Sequence, residues 1–257
     1  NRGIFEKQLE TNIIDCLEKN NISFESISRP RGRILIETEN KCGKLRDVFG
    51  ISSFSYAVKC RADIDTIKKA ASNIAGKEDF TTFRISAKRL DKRFLMDSMQ
   101  IEKEIGQHIV DSLAKRVSLK KQDLNICVEI FGDNAYVFTK TDQGRGGMPV
   151  GSSAKVLCII EDKKSELAAV LVMKRGCSVV LSGKKGTPLV DKYSYGSMIG
   201  RFDDGDPDEI AERNRCLTIV LGKTLETFSE EEYKTPVLLP LIGMDKQEIE
   251  QKIIEYQ

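Results

Sequence analysis

The sequence has one histidine, His108, among 257 residues, and none of its seven cysteines stands in a Cys-x-x-Cys pair. With no second histidine, histidine metal clusters are excluded. His108 itself lies in a helical run beside Ile105 and Ile109, where it reads as a packed or surface residue rather than a base. Cys16, Cys42, Cys60, Cys127, Cys158, Cys177 and Cys216 are odd in number, scattered and mostly set in apolar runs. That pattern excludes a disulfide framework or zinc knuckle and predicts reduced thiols in a cytoplasmic protein. No apolar run approaches the roughly 20 residues of a membrane span, and no signal peptide is read at the start, so no membrane partner is expected. The net charge is only +2, which by itself selects no partner.

Composition is that of a folded chain, with 31% charged and 40% hydrophobic residues. Its length predicts more than one domain. The charges are unevenly placed. Arg29, Arg31 and Arg33 cluster early; Arg84, Lys88, Arg89, Lys92 and Arg93 fall within FRISAKRLDKRF; Lys115, Arg116, Lys120 and Lys121 follow a long helix. Acids gather later, in FDDGDPDE and SEEEY. The first half is therefore the expected polyanion-binding half. Along Phe83 to Lys88, apolar residues alternate with Arg84, Ser86 and Lys88, so one face of a strand is buried while the other lifts cations outward. Arg89, Lys92 and Arg93 extend that charge into a loop, where Phe94 and Met96 are candidates for packing on ribose or a terminal base, or equally for the core.

Periodicity orders the chain as a helix over 4–19, a hairpin over 22–37, a helical turn near 45–49, a strand over 54–60 and a helix over 64–74. A strand over 82–88, a helix over 98–117 and a hairpin of strands 125–131 and 135–140 about Gly132-Asp133-Asn134 follow. Mixed order of this kind predicts small α+β domains. The glycine-rich run 144–151 marks a boundary. Beyond it, strands at 156–160, 178–182, 217–221 and 237–239 alternate with helices, the signature of a doubly wound parallel sheet.

The junction after the first of these strands is unusual. A strand-to-helix turn binds phosphate through backbone N–H groups at the positive helix end, when glycines let the anion come close. Here the turn is Glu161-Asp162-Lys163-Lys164-Ser165, with no glycine and two carboxylates. Other tempting sites have plainer readings. Gly222-Lys223-Thr224 lacks the earlier glycine of a phosphate loop and reads as a strand-to-helix turn. Asp206-Pro207-Asp208-Glu209 reads as a helix start rather than a calcium loop. Cys216 opens a buried strand and reads as structural.

Residues 1–6 (NRGIFE), FRISAKRLDKRF with the Ser98-Met99 helix start, GRGGMPVGSSAKVL and PVLLPLIGMDKQEI together resemble the tRNA 4-thiouridine synthetase, or thiamine-biosynthesis sulfurtransferase, family. The resemblance implies a ferredoxin-like domain at 1–60 whose first strand would precede Asn1, and a tRNA-gripping THUMP domain at 61–141. It further implies a linker at 142–151 and a shortened α/β PP-loop-like domain at 152–257. In that family SGGxDS follows the strand that starts at Lys155. Glu161–Ser165 replaces it here, and the domain looks short between Ser182 and Leu217.

The resulting expectation is a tRNA-binding protein, with Arg84, Lys88, Arg89, Lys92, Arg93, Lys115, Arg116 and Arg145 as RNA contacts and Glu161, Asp162, Lys163, Lys164 and Ser165 as a degenerate nucleotide loop. No catalytic or metal-binding residue is assigned and no cofactor is expected. Partners would be tRNA and a separate sulfurtransferase or cysteine desulfurase, with a homodimer as a further option. The alternative is an active ATP-dependent tRNA uridine 4-sulfurtransferase with an atypical nucleotide site, using ATP and magnesium.

Overall fold

The structure is a computed structural model that describes every residue except 1, 31, 91, 92, 230 and 231. In chain order the elements are α1 (Arg2–Lys19), β1 (Ser26–Ser28), β2 (Leu35–Glu37), a 3-10 turn (Gly43–Asp47), β3 (Ser53–Phe54), β4 (Val58–Arg61), α2 (Ile64–Ala75), β5 (Thr82–Arg89), α3 (Ser98–Leu113), β6 (Arg116–Val117), β7 (Leu124–Phe131), β8 (Asn134–Phe138) and β9 (Asp142–Gln143). Then come β10 (Lys155–Ile160), α4 (Lys163–Lys174), β11 (Ser178–Gly183), α5 (Pro188–Lys192), β12 (Gly200–Phe202), α6 (Pro207–Arg213), β13 (Ile219–Val220), β14 (Val237–Leu238) and α7 (Lys246–Tyr256). They form two compact units: Phe54–Asp142, and Asn1–Ser53 together with Gln143–Gln257. None of these helices is long and apolar enough to cross a membrane.

The Phe54–Asp142 unit is an α+β layer pair. Its sheet runs β4-β8-β7-β5-β6, mixed in direction, with β5 parallel to β7 and to β6 and the other pairs antiparallel. Every second residue of β5 and β7 is buried, because Phe83, Ile85, Ile126, Val128 and Ile130 meet Ile67, Ala71, Ile101, Ile105 and Ile109 from α2 and α3. Both helices start on aspartates that cap their first turns: Asp63 accepts from Thr66 N, and Asp97 from Gln100 N with the reciprocal Gln100 bond that completes a capping box. Helical spacing predicts that α3 continues to Val117, but it stops at Leu113. Ala114 takes a left-handed backbone (φ 50°), and Arg116 and Val117 pair with Thr82 and Phe83 as an edge strand. The sheet's hydrogen bonds outcompete further helix there.

The other unit carries a five-stranded sheet of order β12-β11-β10-β13-β14, in which every pair is parallel. Alternation along β10 sends Val156, Cys158 and Ile160 into a cluster with α4, α5 and α7, while Leu157 meets Ile210 and Ala211 of α6 on the opposite face. Helices on both faces make it doubly wound, as the aliphatic runs predict. The N-terminal segment packs into the same unit. Phe49 stacks on Tyr193 at 4.8 Å and meets Tyr256 edge-on at 6.5 Å, and Asn12, buried, donates to Val150 O at 3.0 Å. The run 144–151, read as a linker, is held by backbone bonds to Ile51, Ser52 and Lys174. Gly147 (φ 80°) lies where a Cβ would stand 2.5 Å from Lys174 O, so glycine is required for that approach.

Candidate nucleic-acid interface and nucleotide corner

Because β5 alternates, Arg84 and Lys88 are exposed on the side of the sheet away from α2 and α3, with Ser86 between them. Register carries the face across the sheet: Arg84 lies opposite Asn125, Ser86 opposite Cys127, Lys88 opposite Glu129, and Thr82 opposite Arg116. Cys127 reports the local field. Burial and the Glu129 carboxylate push its thiol pKa up, while Lys88 and Arg84 pull it down. Arg116, exposed at the sheet edge, sits near Asp123. That carboxyl is held below its usual range, chiefly by the Thr82 and Thr81 N–H groups and then by the Thr82 hydroxyl.

The other predicted cations are placed differently. Arg89 has the parity of Ala87 and lies on the helix side, where its guanidinium donates to Phe94 O at 2.8 Å and Met96 O at 3.2 Å. It clips the following loop. Phe94 and Met96 pack against the core, whereas Leu95 and Met99 are 98% and 76% exposed. Arg93 lies 4.0 Å from Asp133 at the β7-β8 turn. Lys92 lies outside the described residues. Lys115 donates to Phe80 O at 2.6 Å and covers the Phe80 ring at 4.9 Å, an anchoring role for its ammonium. Arg145 belongs to the other unit, where it bonds Glu255 O at 2.5 Å and lies 5.3 Å over Tyr256. Within the Phe54–Asp142 unit, the structure thus brings Arg84, Lys88 and Arg116 onto one sheet side and separates Arg89 and Lys115 from them. Sequence reasoning passed over Lys59, Arg61, Phe131 and Tyr136. Their alternation along β4, β7 and β8 places them on the same side as Arg84 and Lys88. The phase of the Gly132 hairpin was the available signal.

In the parallel sheet, the chain begins at β10, moves outward to β11 and β12, then crosses back to β13 and β14. The crevice past the carboxyl ends of β10 and β13 is the place where such sheets bind ligands. Here it is filled by the protein's own groups. Asp162 Oδ1 accepts from Lys164 N and Ser165 N, both at 2.9 Å, and Ser165 Oγ accepts from Glu161 N and Asp162 N, also at 2.9 Å. Glu166 N bonds Asp162 O. Five backbone donors of the α4 start are therefore used internally, the first four on side chains of the turn itself. Gly222 presses against this turn so closely that a Cβ would stand 2.6 Å from Ser165 N. Lys223, expected in a strand-to-helix turn, instead lies in a non-helical loop and meets Glu161 at 3.6 Å. Lys163 and Lys164 lie in the first turn of α4, Lys163 exposed.

Glu166, next along α4, is 7% exposed and accepts from Leu189 N at 3.0 Å. It serves as the side-chain cap of α5, whose own N-cap residue Thr187 makes no such bond. Burial raises its carboxyl pKa against the lowering effect of that hydrogen bond. Asp206 caps α6 as predicted, accepting from Glu209 N, with Pro207 in the first turn. Cys216 is buried among Leu157, Ile210 and Ile219, and burial raises its thiol pKa.

The chain combines a mixed α+β unit with a doubly wound parallel sheet, and comparison with known sequences shows which proteins share it. Residues 61–140 match the THUMP domain, and residues 1–55 match the ThiI ferredoxin-like domain. The chain is 36% identical to a protein of Methanocaldococcus jannaschii named probable tRNA sulfurtransferase, covering 96% of this chain and 81% of that one. It is 31% identical to one of the same name from Geobacillus kaustophilus, covering 97% and 76%. The chain belongs to this tRNA sulfurtransferase family. Its alignment with the Geobacillus protein runs over 312 positions against 257 residues here, so that relative has internal residues this chain lacks. Among solved structures, PH1313 of Pyrococcus horikoshii superposes with a TM-score of 0.89 at 28% identity, over 98% of this chain and 92% of that one. A 4-thiouridine synthetase solved with RNA and ATP superposes with a TM-score of 0.82 at 22% identity, over 99% and 80%, a likeness of fold.

Proposed function

We propose that this protein binds tRNA through its Phe54–Asp142 unit and presents it for modification without adenylating it, with a separate sulfurtransferase or cysteine desulfurase performing the chemistry. The observation that carries the second half is the turn at 161–165, where the N–H groups of Glu161, Asp162, Lys164 and Ser165 are already held by the turn's own Asp162 and Ser165 side chains. An incoming phosphate would have to displace the Asp162 carboxylate and the Ser165 hydroxyl from their N–H groups, against the repulsion of Glu161 and Asp162. The first half is supported by the THUMP match and by the exposed Arg84, Lys88 and Arg116. Duplex RNA is gripped mainly through phosphates and 2′-hydroxyls, for which such cations suffice without base-specific contacts.

Titration with ATP and magnesium, without and with tRNA, tests this reading: tRNA binding without nucleotide binding is expected, and tRNA-dependent pyrophosphate release would overturn it. Family membership favours one second reading, an active ATP-dependent tRNA uridine 4-sulfurtransferase with an atypical nucleotide site. The same pyrophosphate measurement separates the two.

A further inference from the structure

The two edges of the Phe54–Asp142 sheet are built differently. At one end β6 is two residues long, too short to template another strand. At the other stands β4, four residues long, with β8 on one side and no strand on the other among the described residues. Edge strands are ordinarily blunted by a proline, a bulge or a covering element, because an open ladder recruits other chains. β4 has no proline and pairs with β8 residue for residue, from Val58 opposite Val137 to Arg61 opposite Asn134. Val58 is 49% exposed, so an apolar strand position is on view at an open margin.

Beside this margin the sheet and α2 enclose a groove of about 360 Å³. Val58 and Cys60 of β4 and Ala70 and Ile74 of α2 form its floor, while the exposed Lys69 and Lys77 stand at its rim. An extended peptide added to β4 would continue the ladder and, because strand side chains alternate, drop every second side chain into the groove. The side chains between would lie on the other face, beside Lys59 and Arg61. Cations thus meet an added strand on both faces. The acids nearby are engaged elsewhere: Asp63 caps α2 with Arg61 3.7 Å away, and Glu78 is held by Lys140 at 2.9 Å. Asp65 is the one carboxylate within β4 and α2 themselves. A second copy of β4 is a poor occupant, since pairing would set Lys59 and Arg61 against their own counterparts.

We propose that the β4 edge and its groove dock an acidic, extended segment of another protein, which joins this sheet as a further strand. Its apolar side chains lie in the groove over Val58, Cys60, Ala70 and Ile74. Its carboxylates, between them and at the segment's ends, face Lys59, Arg61, Lys69 and Lys77. The inference stands apart from the tRNA-binding reading, because it concerns the sheet's edge and the groove on its helix side.

The test uses the whole chain and a short fluorescent peptide alternating glutamate with valine, beside a control with lysine in place of glutamate. Wild type is expected to bind the acidic peptide and not the basic one, with amide shifts confined to β4 and α2. Methylating the backbone nitrogens of the glutamates alone, or of the valines alone, should abolish binding in one peptide and spare it in the other. An added edge strand turns only alternate N–H groups toward its neighbour. Lys69→Glu/Lys77→Glu, which alters exposed side chains only, should weaken the acidic peptide about tenfold and leave tRNA affinity unchanged. No binding, equal binding of both peptides, or indifference to methylation at either parity would overturn the proposal. So would a lysine variant that loses affinity for tRNA instead of the peptide, since the groove's cations would then serve RNA.

Discussion

The two halves of this molecule treat backbone and side-chain polarity in opposite ways. In the Phe54–Asp142 unit, acids are spent at helix starts and at a turn, where Asp63, Asp97 and Asp123 each accept backbone N–H groups, leaving cations on an open sheet face. In the parallel sheet, the carboxylates stand where an anion would be expected to enter. Asp162 caps its own helix at the crevice, and Glu166 caps the next. Net charge, only +2 overall, hides this difference, which lies in whether backbone donors are already held by the protein's own carboxylates.

Point mutations test this contrast directly. The largest expected effect is on RNA. Arg84→Glu with Lys88→Glu should lower tRNA affinity by at least tenfold and reduce the slope of log affinity against log salt by about 2, since each lost phosphate contact removes about 1. Equal affinity and slope would remove this face from the interface. Arg89→Glu should act otherwise, loosening the loop at Phe94 and Met96 and showing in faster amide exchange there.

Next in size, Glu166→Ala should cost about 2 kcal/mol in urea unfolding, because it leaves the Leu189 N–H without its buried acceptor. Asp162→Ala should cost about 1 kcal/mol, the usual price of a lost N-cap, measured in the same way. A gain of ATP binding in that variant would show that the carboxylate alone keeps the nucleotide out.

The smallest effect is the most discriminating, because Glu166 should respond to pH with the opposite sign to the carboxylates of the Phe54–Asp142 unit. Hydrogen bonds from Thr66 to Asp63, from Lys68 to Glu104 and from Thr82 to Asp123 lower these carboxyl pKa values. Their contribution is present above the ordinary carboxylate range and is lost as pH falls through the lowered values. Glu166 is raised by burial, so its contribution is full below the ordinary value and shrinks as pH rises toward its folded pKa. Asp208, lowered by Thr235 and Lys234 in the same unit, opposes it. Amide exchange followed by region between about pH 3 and 7, for wild type and Glu166→Gln, should show the parallel sheet gaining relative stability at higher pH only in the variant.

Much of the architecture could be read from local pattern. Asp63, Asp206 and the Gly132 hairpin announce themselves because capping and turn chemistry are local. Alternation at Phe83 to Lys88 placed Arg84 and Lys88 correctly, since strand parity is fixed by the backbone. The same parity argument was not carried through to Arg89, whose position on the helix side follows from it. The helix forecast to Val117 overran because edge pairing with β5 is a distant event. The short elements β12 and α5 leave too little periodicity to detect.

Sequence alone determined that the turn at 161–165 lacks glycines and carries carboxylates, because those are statements about residue identity. Only the tertiary structure decided that Gly222 closes over that turn and that Lys223 reaches Glu161, because close approach of distant residues depends on which strands lie side by side. Likewise, the charges of the first half were legible in order. Their sorting into a sheet face, a loop clip and helix anchors awaited the register of five strands that are not consecutive in the chain.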